Sequence, residues 1–82
     1  MTDEIDRLLE QLSKETCRRL LMRLEAEADM IREWMADIGQ SAIEGKDREA
    51  DLRRFRMLIY TNELKFRLEL LQKIKKKLEG RD

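Results

Sequence analysis

The sequence predicts an all-α protein: an antiparallel helical hairpin of two long helices with a short N-terminal helix, one domain over 1–82, dimerising into a helical bundle. Three observations lead there. The 82 residues contain no proline and are 44% charged against 41% hydrophobic, a composition that suits long amphipathic helices rather than strands and turns. From Cys17 to Ala42 the apolar residues recur at alternating spacings of four and three, which keeps one stripe turned toward a neighbouring helix. Past Gly45 a second helical stretch carries two apolar stripes, and such a helix needs two neighbours.

The short helix is expected over about residues 3–12, started by Thr2 ahead of Asp3 and Glu4 and presenting Ile5, Leu8, Leu9 and Leu12 on one face. Ser13-Lys14-Glu15-Thr16 reads as a fresh N-cap. The apolar face changes direction across it, so a break is predicted at Ser13.

The first long helix is expected over about residues 14–44, with a seam of Cys17, Leu21, Leu24, Ala28, Ile31, Met35, Ile38 and Ala42. Gly39 lowers helix propensity without disturbing the pattern. The helix therefore runs to about Glu44 with Gly45 as its C-cap, or stops at Ile38 with Gly39 in that role. Lys46-Asp47 supplies the turn and the next N-cap.

The second long helix is expected over about residues 47–79. Leu52, Phe55, Ile59, Phe66 and Leu70 form one stripe; Met57, Leu64, Leu68, Leu71 and Leu78, with Tyr60 at the edge, form another on nearly the opposite side. A turn centred near residue 45 brings Ile38 to Leu52, Met35 to Phe55, Ile31 to Ile59, Ala28 to Asn62, Leu24 to Phe66 and Leu20 to Leu70. This register assigns the first stripe to the hairpin. Asn62 then either fixes the register from the seam or reaches water at its margin. The second stripe, Met57, Tyr60, Leu64, Leu68, Leu71 and Leu78, is left for the short helix and a second copy of the chain, making it the expected dimer interface.

Eighteen basic and eighteen acidic residues cancel overall, so no global field recruits nucleic acid or an anionic membrane. The halves differ: residues 1–45 carry six basic and eleven acidic side chains, residues 46–82 twelve and seven. Folding the halves together sets opposite signs side by side, which guides pairing more than it stabilises it. With one cysteine, Cys17, and no histidine, neither an internal disulfide nor a zinc site can be built, and a cysteine nucleophile lacks its usual base. The start lacks the basic and apolar regions of a secretory signal, and apolar runs are short. The expectation is a cytoplasmic chain with no membrane, cofactor, metal or catalytic role.

Three groups of residues are candidates for binding. Glu25, Asp29 and Glu33 make an acidic ridge that could hold a divalent cation, although a solvated, salt-bridged face is the first reading. Met30 and Trp34 beside the seam suit core packing or, alternatively, anchors for a protein partner. Arg53, Arg54 and Arg56, then Lys73, Lys75, Lys76 and Lys77, give the last helix a basic character that could meet nucleic-acid phosphates. Cations in a final helical turn also oppose the helix dipole. The run Leu58-Ile-Tyr-Thr-Asn-Glu-Leu-Lys-Phe-Arg-Leu-Glu-Leu-Leu resembles the C-terminal dimerisation helices of PadR-type transcription regulators. That resemblance implies a dimerisation module; the family's winged-helix domain has no counterpart in these 82 residues. The expected function is a non-enzymatic, homodimeric adaptor or regulator with an unidentified protein partner, and the alternative is a hairpin dimer that binds RNA or DNA.

Overall fold

The computed structural model describes residues 4–44 and 48–80, with side chains described outside 40–44. Three helices account for all of them but Leu12, Ser13 and Gly80: α1 (Glu4–Gln11), α2 (Lys14–Glu44) and α3 (Arg48–Glu79). The expected starts at Thr2 and Asp47 and the C-cap at Gly45 lie outside the described residues. α2 passes through Gly39 to Glu44, so the longer of its two expected ends is the one formed.

The predicted break is present and has a local cause. The Thr16 amide donates to Ser13 Oγ at 3.1 Å, the Ser13 hydroxyl to Thr16 Oγ1 at 3.0 Å, and the Cys17 amide to the Ser13 carbonyl at 3.0 Å. The Ser13 side chain thereby satisfies the Thr16 amide, which the first turn of α2 would otherwise leave without a helical acceptor, while its carbonyl accepts the first bond of the helix.

α2 and α3 form the hairpin, and α2 turns toward α3 the seam its repeat prescribes. Cys17, Leu24, Ala28 and Ile31 are buried, and Leu21, Met35 and Ile38 half-buried.

On α3 the facing stripe differs from the expected one. Trp34 stacks near Tyr60, Glu27 bonds Arg67, and Gly39 approaches Met57. Such pairs have numbers adding to roughly 95, against about 90 for a turn centred on residue 45, and five residues of slip rotate a helix face by about 140°. Ala50, Met57, Leu64, Leu71 and Leu78 therefore line the hairpin at every seventh position, with Tyr60, Arg67 and Ile74 between them. Asn62 is exposed and does not meet Ala28. The physical reason lies past Leu70. The first stripe continues into Lys73 and Lys77, which the expected register would press against the apolar start of α2, and an unpaired buried ammonium is prohibitively costly.

The main core lies where all three helices meet: Leu9, Cys17, Leu24, Leu71 and Ile74, flanked by Ile5, Leu12, Leu20, Leu21, Leu70 and Leu78. The whole measures 54 × 26 × 14 Å, and its thin dimension is little more than one helix diameter of about 10–12 Å. Its radius of gyration, 16.5 Å, exceeds the about 12 Å of a compact chain this long. No described helix is long and apolar enough to cross a membrane.

Candidate interaction surface

The slip in register decides which apolar surface stays open. Of the residues expected at a dimer interface, Leu71 is buried and Met57, Tyr60, Leu64 and Leu78 are half-buried in the hairpin's own seam; Leu68 alone is exposed. The hairpin itself thus takes up Met57, Tyr60, Leu64, Leu71 and Leu78, at least in part, while Leu68 stays at the surface beside a groove with Leu64 and Leu71. The stripe assigned to the hairpin is instead the one facing out: Leu52 is 58% exposed, Phe55 61%, Ile59 38% and Phe66 49%. Leu70, next along it, is half-buried against the core cluster that contains Leu9.

α1 therefore occupies one end of this outer stripe. It sets Leu9 inward, and Lys73 Nζ donates to Asp6 Oδ1 at 2.6 Å. Asp6, Leu9 and Glu10 line a shallow groove with Lys73, Lys76 and Lys77. The amphipathic α1 thus lies at the basic end of this track, and Phe66, Ile59, Phe55 and Leu52 beyond it remain exposed.

The residues expected to bind partners separate onto two sides. At about 100° per residue, Glu25 and Asp29 project from one side of the α2 seam and Met30 and Trp34 from the other. Glu25 lies 4.0 Å from Lys75 and Asp29 3.1 Å from Arg32, beside a groove that includes Leu68 and Leu71. Glu33 is exposed. Among the described residues no three acidic or cysteine side chains gather as a metal site would require. Across the hairpin, Trp34 is half-exposed, its ring centroid 5.5 Å from that of Tyr60 with the planes tilted by 42°. Asp37, Ile38 and Arg56 complete that groove. Met30 is also half-exposed. Neither side chain is sealed in a core, and Trp34 keeps Tyr60 as a neighbour.

The basic residues of α3 are mostly engaged within the chain. Arg54 pairs with Asp51 at 2.7 Å, Lys73 with Asp6 and Lys75 with Glu25. Arg53 is half-buried, and Lys76 and Lys77 border the acidic edge of α1. The opposite charges of the two halves meet in the pairs Lys73–Asp6, Lys75–Glu25 and Arg67–Glu27.

One polar contact across the hairpin went unrecognised in the sequence. Arg67 Nε donates to Glu27 Oε1 at 2.9 Å, and Arg23 Nε approaches Oε2 of the same carboxylate at 3.4 Å. The Arg67 hydrogen bond, more than Arg23, holds the Glu27 carboxyl below its ordinary value. The signal was available: Arg67 falls in the seven-residue series between Leu64 and Leu71 and needs an acid on α2. No family model matches the chain, nor does any curated protein or solved structure.

Proposed function

We propose that this chain is a non-enzymatic adaptor or regulatory protein, a small regulator, inhibitor or accessory subunit of bacterial or phage type, working as a homodimer through protein–protein binding. The observation that carries the reading is the outer stripe of α3, where Leu52, Phe55, Ile59 and Phe66 stand in water on a helix whose other face is already packed. Burying each such side chain is worth about 1.5–3 kcal/mol, whereas an exposed ion pair contributes about 0–1 kcal/mol, so apolar cover governs what the molecule associates with. The buried, lone Cys17 fits a reducing cytoplasmic setting.

The test is capture from a native lysate with the parent chain and with a Leu52→Glu/Phe66→Glu variant, each with and without nuclease. The expected result is a protein partner that survives nuclease and is lost with the variant. Recovery that nuclease abolishes, together with a salt-dependent mobility shift on RNA or duplex DNA, would replace this reading with nucleic-acid binding through Arg56, Lys76 and Lys77.

A further inference from the structure

We infer that the occupant of the outer stripe is a second copy of this chain, its α3 laid antiparallel to the first about a two-fold axis between Ile59 and Asn62. The inference rests on the protein-binding reading above and names its first partner.

Area is the first argument. The chain exposes 6533 Å², whereas a folded monomer of 9.9 kDa exposes about 5,200 Å². The surplus of about 1,300 Å² exceeds the roughly 800 Å² per partner of a standard stable interface. A long thin body removes most such surplus by pairing along its length.

The pattern of the stripe matches a helix partner of the same kind. Leu52, Ile59 and Phe66 recur every seventh residue, and Phe55 and Asn62 follow the first two by three, which makes a two-heptad seam interrupted by one amide and closed at its end by Glu69. In an antiparallel pair the two series face each other. Phe66 then packs on Phe55 of the second copy, and Ile59 on its Asn62.

Charge chooses the direction. Arg56 and Glu63 border the stripe on one edge, seven residues apart. Antiparallel alignment sets Arg56 beside Glu63 of the second copy, and symmetry repeats the pair; parallel alignment sets Glu63 beside Leu58. Within the chain Glu63 Oε1 also lies 3.5 Å from Arg67 Nη1, so its carboxylate would stand between two guanidiniums. Finally, α1 acts as an end stop. In this register Leu70, where α1 begins to cover the stripe, falls opposite Asp51, one turn from the start of α3 at Arg48. The second helix ends where α1 begins.

Light scattering on the purified chain, repeated on variants, tests the arrangement. The parent is expected at twice the single-chain mass at micromolar concentration. Ile59→Glu changes a residue at the surface of the single chain, so helical content by circular dichroism should persist. Pairing should weaken at least about a hundredfold, because two isoleucines leave a buried seam. Arg56→Glu should weaken it about three- to tenfold, and adding Glu63→Arg should restore it. In a Cys17→Ala background, an oxidised mixture of Phe55→Cys and Phe66→Cys chains should cross-link, and neither chain should do so alone.

A parent that stays monomeric at about 100 µM, a dimer that survives Ile59→Glu, or self-linking by Phe55→Cys alone would overturn the inference. A monomeric parent that binds another protein and releases it on Ile59→Glu would overturn self-pairing, and the homodimer with it, and leave only the binding of a different protein by this stripe standing. Stripe variants that alter neither the mass nor any capture would sink both.

Discussion

At the scale of the residue, two positions set how closely α2 and α3 approach. Gly39 lies within α2, where glycine costs roughly 1 kcal/mol relative to alanine. A methyl added there would come within 3.2 Å of Met57 Cε, the far end of a flexible side chain that can swing aside. Gly39→Ala is therefore expected to stabilise the hairpin by about 0.5–1 kcal/mol and raise Tm by about 3–6 °C, read by thermal denaturation. A fall in Tm would show that Met57 is pinned. Glu27 is the other position. Its carboxyl is held low chiefly by Arg67, so its contribution to stability is complete above the ordinary glutamate value of 4.5 and is lost as the pH falls through the lowered folded-state value. Glu27→Gln should accordingly lower denaturant stability at pH 7 and narrow the gap between parent and variant in acid. An unchanged gap from pH 7 down to about pH 3 would mean that the Arg67 contact does not persist in solution.

At the scale of the element, the three helices were legible to different depths. α2 has a single apolar stripe, so its inward face followed from the repeat alone, while Gly39 left two possible ends; Ser13 announced the break through its capping chemistry. The face of α3 did not follow, because two complete seven-residue series coexist on it and either makes a plausible hairpin locally. The choice depends on what each series becomes four turns further on, Lys73 and Lys77 for one and Leu71 and Leu78 for the other. The register error carried into the site: the open surface was expected on Met57, Tyr60, Leu64, Leu68, Leu71 and Leu78, of which Leu68 alone is exposed, whereas Leu52, Phe55, Ile59 and Phe66 form the longer exposed run. α1 depends on its neighbours, since eight residues are too few for a helix stable by itself in water. Ser13→Ala removes the acceptor of the Thr16 amide and is expected to cost about 1 kcal/mol. The loss should appear first as faster hydrogen exchange in the first turn of α2, with the amides around Ala28 and Ile31 little changed. Uniform acceleration throughout α2 would instead make the cap part of one global unfolding unit.

At the scale of the whole molecule, the body is thin, 14 Å in its least dimension, and most of its few buried residues cluster where α1 joins the hairpin. The turn end, with Leu52, Phe55 and Ile59 in water, has no such support. A second copy on the outer stripe would supply it, and folding would then be coupled to association: mass action favours the native pair at higher concentration. The midpoint of thermal unfolding is thus expected to rise by about 3–5 °C for each tenfold increase in chain concentration, since that increase is worth about 1.4 kcal/mol to a two-chain transition of this size. Ile59→Glu should lower the midpoint and remove its dependence on concentration, because the variant unfolds as a single chain. Gly39→Ala should keep the dependence while shifting every midpoint upward, its effect being confined to the seam between α2 and α3. A parent chain whose midpoint stays level across two decades of concentration would show that the hairpin is stable alone and that its outer stripe is kept open for a different protein.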